Sequence, residues 1–262
     1  MITKTFQPLA GNGIELPKDL APKLLHRFAS DEGYALSPGI TPLLRSLKHP
    51  SSSTPQAHIS PIIGVITNSD DRVPSILSSL GLHVRPFRFG IDTNTNPGPT
   101  PLPSQQPPQP HSYDYDIDLH AMSYDVGFAK PDRRIFDAAE GMANDLVSAT
   151  ATVAAAVSPE SGPAPEVGAV LPWLKVYVGD EYTKDVTGAL GAGWNAVLVD
   201  DHGTNASEKS EGDGLERLGD KPLEKVFPSG GPPRAVRARS VQGVLKWLGE
   251  EVRRGDAFSS GL

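Results

Sequence analysis

Residues 174–199 read LKVYVGDEYTKDVTGALGAGWNAVLV, and this stretch decides the fold class. The apolar run at 174–178 has the length of a buried strand, and it passes directly into the polar segment GDE. The spacing then predicts a helix over 183–192 and a second strand over 195–199. Strand, helix and strand in this order are typical of a parallel sheet in an α/β protein.

The same alternation continues toward both ends of the chain. The run PIIGVI at 61–66 predicts a strand buried on both faces, because it carries no polar alternation. PDRRIFDAAEGMANDL at 131–146 predicts a helix with proline in its first turn and an apolar stripe facing the sheet. The remaining expected elements are helices at 16–29, 39–47, 72–80 and 241–253, and strands at 84–89 and 117–123.

Three stretches interrupt the alternation. Residues 93–111 are rich in proline, 147–170 in alanine, proline and serine, and 202–234 in polar residues. Such compositions cannot bury enough apolar surface to pack, so they predict disordered insertions. The α/β core is therefore expected at 61–253, and the segment 1–48 carries only helical patterns.

Composition excludes several classes of protein. The 262 residues carry a formal net charge of −7, and the basic residues are scattered, which argues against a nucleic-acid surface. The chain has no cysteine, so it can form neither a disulfide nor a zinc–thiolate site. The longest apolar runs are far below the roughly 18 residues that cross a bilayer, and no secretory signal is visible at Met1. These features predict a soluble intracellular protein, cytoplasmic or nuclear, that binds neither nucleic acid nor membrane.

Polar residues that could take part in binding or catalysis follow two of the strands and precede one helix. Thr67, Asn68 and Ser69 come at the end of the 61–66 strand, where a hydroxyl and a helix N-terminus can hold a phosphoryl oxygen. Lys130 lies just before the proline that opens the 131–146 helix, so its ammonium could reach over the strand ends. Helix capping for the first group and a solvated surface lysine for the second remain open alternatives.

The third group is acidic. Asp180 and Glu181 follow the 174–178 strand directly, and Asp185 lies about one helical turn further on. Clustered carboxylates repel each other unless a cation neutralises them, and hard oxygen ligands suit Mg²⁺. Capping of the following helix by Asp180 and Glu181 is the open alternative.

The order of these groups resembles the haloacid dehalogenase-like hydrolase superfamily, close to the branch called haloacid dehalogenase-like hydrolase domain-containing protein three. VITNSD at 65–70 is similar to the second motif of that family, VGFAKPDRRIF at 126–136 to the third, and VGDEYTKDVTGALGAGWNAVLV at 178–199 to the fourth. The resemblance implies a Rossmann-like parallel sheet. It also implies that the segment 1–48 is the remnant of a helical cap domain.

The resemblance assigns a role to each candidate residue. Thr67 would bind the phosphoryl group together with Asn68, and Lys130 would stabilise the nucleophile and the phosphoryl charge. Asp180 would ligate Mg²⁺, with Asp185 or Glu181 in support. The implied substrate is a small phosphorylated molecule and the implied activity is that of a magnesium-dependent phosphatase.

One family feature is missing from the sequence. Family members open with an apolar strand that ends in an aspartate nucleophile, and no such pattern precedes Thr67. Asp114, Asp116 and Asp118 have the right spacing but lack the Gly-Thr that should follow, and they come after the second motif. The chain as given is therefore expected to be truncated and inactive, with two strands left as unpaired edges. The alternative is a non-catalytic anion-binding or regulatory module.

Overall fold

The computed structural model describes residues 15–48, 61–91, 115–157, 174–200 and 214–254. Strands and helices alternate along most of these ranges, as the sequence pattern predicts. The helices are α1 (Leu20–Arg27), α2 (Ile40–Lys48), α3 (Val73–Ser79), α4 (Ser123–Val126), α5 (Arg133–Val157), α6 (Thr187–Gly191), α7 (Leu223–Val226) and α8 (Val241–Arg254). A 3₁₀ turn lies at Asp31–Gly33 and a π-helical turn at Tyr182–Val186. The strands are β1 (Gly64–Thr67), β2 (Leu119–Met122), β3 (Val176–Gly179), β4 (Asn195–Val199), β5 (Glu216–Arg217) and β6 (Ala235–Ala238).

All strand pairs in the described ranges are parallel, so the fold is α/β and Rossmann-like. They form two sheets, one with the order β1-β2 and one with the order β3-β4-β6-β5. In the first sheet Thr67 lies opposite Met122, and in the second Gly179 lies opposite Leu198. The carboxyl ends within each sheet therefore fall along one edge, which is where α/β proteins bind ligands.

Helices cover both faces of the strands. On one face α5 and α6 enclose a core that contains Ile66 of β1 and Leu198 of β4, so a single apolar cluster spans the two sheets. On the other face α7 and α8 pack against Val197 and Val236. Successive residues of β4 enter opposite clusters, which is the pattern of a strand buried on both sides. At one end of this second face α2 packs against α8 through Leu44 and Leu245.

The two sheets each present a free edge within the described residues. β1 pairs there only with β2, and β3 only with β4. β3 is half-buried along its whole length, whereas β2 is buried at every residue and β4 at all but its first. Interior parallel strands are normally buried throughout, so β1 and β3 have the exposure of sheet edges. The two unpaired edges expected from the sequence are thus β1 and β3.

Most predicted elements are present, and the differences have local causes. Residues 84–89 form only isolated bridges, Val84 with Ile117 just before β2 and Arg88 with His120 in β2. The helix expected at 131–146 continues to Val157 as α5, so the start of the 147–170 insertion is helical. The rest of that insertion and all of 93–111 lie outside the described residues.

The third expected insertion is only partly irregular. Its first part, 202–213, lies outside the described residues, whereas 214–234 contains β5 and α7. Val226 and Phe227 are buried in the core, so a composition that looked uniformly polar conceals two anchoring side chains. β6 was not predicted, because its arginine interrupts the apolar run. None of the helices in these ranges is long and apolar enough to cross a lipid bilayer.

Candidate active site

Lys130 joins all three of the polar groups that the sequence singled out. Its backbone is held by the side chain of Asn68, which accepts a 2.6 Å hydrogen bond from the Lys130 N–H and donates one of 3.0 Å to the Lys130 carbonyl. Its ammonium lies 2.7 Å from Oδ1 of Asp185. Asn68 follows β1, Lys130 precedes α5, and Asp185 lies in the turn after β3. The structure therefore brings residues 62 and 55 positions apart into one network.

The Lys130–Asp185 ion pair is largely shielded from solvent. The side chains are 12% and 5% exposed respectively. Charges that are paired away from water interact more strongly than surface pairs, and each would be costly to leave alone. The alternative of a solvated surface lysine therefore does not hold for this position.

Asp185 accepts hydrogen bonds from three protein donors. Oδ1 faces Lys130 Nζ and the hydroxyl of Tyr177, while Oδ2 accepts from the backbone N–H groups of Asp180 and Glu181 at 3.1 and 3.0 Å. A carboxylate has about four acceptor positions. Lys130 Nζ and the two backbone N–H groups occupy three of these positions, so Asp185 orients the backbone after β3.

Gly179 explains why the acidic motif begins with glycine. A Cβ at this position would collide with the Asp185 carboxylate, whose carbon would lie 2.5 Å away. Only a residue without a side chain lets the carboxylate fold back over the strand end and reach the backbone of Asp180.

The other acids differ in their freedom to bind a cation. Glu181 is exposed and forms an ion pair with Lys184, 2.9 Å away. Asp180 is exposed at the end of β3. Of the three predicted metal ligands, Asp180 is the one whose carboxylate forms no ion pair with another side chain in the described ranges. Across the described ranges, no three acidic or histidine side chains come together as a metal cluster.

The three polar residues at the end of β1 make different contacts. Thr67 is the last residue of β1 and is half-buried at the carboxyl edge. Asn68 holds the Lys130 backbone with its Oδ1 and one of its two Nδ2 N–H groups, so it positions the lysine. The Ser69 carbonyl accepts the N–H of Tyr124, which connects this loop to the end of β2.

Tyr177 is the residue that sequence reasoning missed. Its hydroxyl lies 2.6 Å from Lys130 Nζ and donates a 3.0 Å hydrogen bond to the carbonyl of Ile66 in β1. Burial, followed by the nearby Asp185 charge, raises the pKa of Tyr177, so the hydroxyl stays protonated. A tyrosine in a buried strand usually needs a hydrogen-bond partner for its polar tip, and that was the available signal.

The aspartates with nucleophile-like spacing lie elsewhere. Asp116 is buried against Arg45 of α2, with 3.0 Å between Nε and Oδ1. Asp118 is buried against Lys48 of the same helix. Both precede β2 and so lie at its amino end, away from Lys130. They anchor α2 to the sheet, and Asp114 lies outside the described residues.

Comparison with known proteins gives distant relatives. No known protein family's profile matches the chain. The chain is 26% identical over 185 residues to a protein of Schizosaccharomyces pombe named uncharacterized hydrolase C7D4.05, a match over 71% of this chain and 56% of that protein. It is 25% identical over 186 residues to the uncharacterized protein YMR130W of Saccharomyces cerevisiae, over 71% of this chain and 45% of that one. The chain thus spans about half the length of the curated relatives it matches.

Proposed function

We propose that the chain carries the lysine and phosphate-binding part of a magnesium-dependent phosphohydrolase of the haloacid dehalogenase type. The observation that carries the proposal is the network in which Lys130 is held by Asn68 and paired with Asp185 at the carboxyl edge. The hydrolase name of the fission yeast relative supports the coarser assignment. The finer assignment rests on the order of the motifs and on this geometry.

Lys130 would neutralise the phosphoryl group of the substrate. Its ammonium is a point charge with three donors, and the Asn68 clamp fixes the backbone from which it extends. Thr67 lies at the end of β1, where its hydroxyl would donate to a phosphoryl oxygen. Charge-assisted hydrogen bonds of this kind are about twice as strong as neutral ones.

The donor set fits Mg²⁺ with Asp180 as the protein ligand. Mg²⁺ usually keeps several waters and uses one or two carboxylates plus the substrate phosphate, so a large acidic cluster is not required. Asp185 would contribute indirectly, by fixing the backbone of Asp180 and Glu181. When bound, the ion would polarise the phosphoryl oxygens and offset their charge.

The attacking carboxylate would come from a segment that reaches the carboxyl edge beside Lys130. The support is that the residues after β1 and after β3 both contact Lys130, through Asn68 and Asp185. The carboxylate oxygen would bond to phosphorus as the ester P–O bond breaks, and the leaving alkoxide would take a proton from water. Water would then hydrolyse the acyl phosphate and restore the carboxylate.

The test compares two lengths of chain. Purified 1–262 and a version extended upstream in the genome are assayed with Mg²⁺ and p-nitrophenyl phosphate. We expect turnover only by the longer chain, with a loss of about 10²-fold or more in Lys130→Gln and Asp180→Asn variants. Lys246→Gln, an exposed change on α8, is the matched control and should keep full activity.

Two results would count against this assignment. Hydrolysis by 1–262 at the rate of the longer chain would show that the nucleophile is already present. Full activity in the Lys130→Gln variant would show that the network does not serve phosphoryl transfer.

A non-catalytic anion-binding module is the second candidate. It is favoured because Lys130 already has Tyr177 and Asp185 as hydrogen-bond partners and needs no nucleophilic carboxylate to hold it in place. Calorimetry with inorganic phosphate separates the two candidates. Phosphate binding that depends on Lys130, with no turnover by any longer chain, would support the module.

A further inference from the structure

The hydroxyl of Tyr177 joins the two sheets by a hydrogen bond. Tyr177 lies in β3, and its hydroxyl reaches the carbonyl of Ile66 in β1 at 3.0 Å. That carbonyl lies on the strand that pairs, within the described ranges, only with β2. A buried backbone carbonyl needs a donor, and Tyr177 supplies it from across the gap.

The direction of the hydrogen bonds follows from counting protons. The lysine ammonium has three protons and no acceptor, so Lys130 donates to the Tyr177 oxygen at 2.6 Å and to Asp185 at 2.7 Å. Tyr177 has one proton. It lies closer to the Ile66 carbonyl than to Asp185 Oδ1, which is 3.4 Å away, so the carbonyl is its better acceptor. The chain of donation runs from Lys130 through Tyr177 to Ile66.

This arrangement leaves one donor of Lys130 for a ligand. Two of its three N–H groups face Tyr177 and Asp185, and within the described ranges the third has no hydrogen-bond partner. Because the first two fix the nitrogen in place, the direction of the third is fixed as well. An anion at the carboxyl edge would meet a donor that is already oriented.

The ring of Tyr177 has a separate packing role. It meets the Phe136 ring edge-on, with centroids 5.2 Å apart, and its centroid is 5.1 Å from Lys130 Nζ. A phenylalanine at this position would keep both ring contacts and lose only the hydroxyl. The two roles can therefore be separated by one substitution.

We propose that Tyr177 is a positioning residue whose hydroxyl fixes the Lys130 ammonium between the two sheets and aims its free N–H at the carboxyl edge. This holds whether or not the site hydrolyses phosphate esters. Only the phosphate measurement below rests on the proposed function.

The test uses the full chain and a readout of the lysine itself. Wild type and Tyr177→Phe are treated briefly with acetic anhydride, and acetylation of Lys130 is measured by mass spectrometry against exposed Lys184 and Lys246. In wild type, Lys130 should be acetylated more slowly than both references. In Tyr177→Phe its relative rate should rise about tenfold, the factor that corresponds to one hydrogen bond to a charged group. Tyr115→Phe, at the amino end of β2, is the control and should change nothing.

Binding of inorganic phosphate is titrated in the same samples. Tyr177→Phe should weaken it about tenfold. A change in Lys130 acetylation without phosphate binding in either protein would support the positioning role and refute the proposed function. Phosphate binding and acetylation that are both unchanged in Tyr177→Phe would refute the positioning role. If Tyr177→Phe does not fold, the test rests on the relative acetylation rates of the lysines in wild type. Acetylation of Lys130 as fast as that of Lys184 would overturn the hydrogen-bond arrangement.

Discussion

Removing Lys48 should destabilise the protein far more than removing a surface lysine with equal pairing geometry. Lys48 Nζ lies 2.5 Å from Asp118 Oδ2, and the two side chains are 1% and 2% exposed. Nζ also donates to the Pro61 carbonyl, and Asp118 Oδ2 also accepts the N–H of Ile63. Lys48→Met would leave a buried carboxylate with a single backbone donor. Breaking a buried pair in this way costs about 3–5 kcal/mol.

The chain offers a matched surface pair as the control. Lys23 and Asp19 on α1 are also close, at 2.6 Å, but their side chains are 76% and 56% exposed. Lys23→Met should change the free energy of unfolding by less than about 1 kcal/mol, because exposed ion pairs contribute little. The comparison therefore isolates burial, since the residue types and the distance are alike.

The free energy of unfolding of both variants is measured by urea titration, with circular dichroism as the signal. The double variant Lys48→Met/Asp118→Asn removes both charges and keeps an acceptor for Ile63, so it should be more stable than Lys48→Met alone. The difference between the double variant and the sum of the single variants should be at least about 2 kcal/mol. Equal losses in Lys48→Met and Lys23→Met would refute the reasoning, because burial would then not matter.

Three further perturbations follow from the same contacts. His120 is fully buried beside the Arg88–Asp125 ion pair, and burial lowers the pKa of its imidazole below its ordinary value near 6.5. The unfolded chain then binds the proton more readily, so the free energy of unfolding should fall as the pH drops below about 6.5. The urea midpoint, measured between pH 7.5 and 5, should depend less on pH in His120→Met than in wild type. Gly64→Ala places a Cβ 2.5 Å from the buried Leu119 side chain and should cost about 1–3 kcal/mol in urea unfolding; an unchanged midpoint would show that β1 shifts freely. Asp185→Asn removes the charge that faces Lys130 and should cost about 3 kcal/mol, with the acetylation rate of Lys130 rising in the same protein; an unaltered rate would mean that Lys130 is held by other groups.

The elements that could be predicted were those with strong local patterns. The 131–146 helix was predicted within two residues of its start, because an apolar stripe depends only on neighbouring residues, but Pro131 lies just before the helix and not in its first turn. Its end was wrong, since the alanine-rich continuation has high helix propensity and composition alone suggested an insertion. β6 was missed because Arg237 occupies a strand position whose side chain lies toward Asp200, a partner that no window of sequence contains.

The positions of the candidate site residues could be predicted from the sequence, but their contacts could not. Thr67, Lys130 and Asp180 could be placed at strand ends or helix starts, since each follows or precedes a strong element. The separate tasks of the three acids could not be predicted. Asp185 accepts from three protein donors, while the Asp180 carboxylate forms no ion pair within the described ranges, and this depends on how the chain folds back over Gly179.

The sequence by itself determined the α/β class, the order of most strands and helices, and which polar residues stand at the ends of those elements. Those properties depend on periodicity and on turn chemistry within about ten residues. Only the tertiary structure decided that Tyr177 reaches Ile66, 111 positions away, and that the sheet divides at that contact. The reason is physical: a hydrogen bond between distant residues exists only after crossover connections have brought two strands together, and no local pattern records which donor will meet which acceptor.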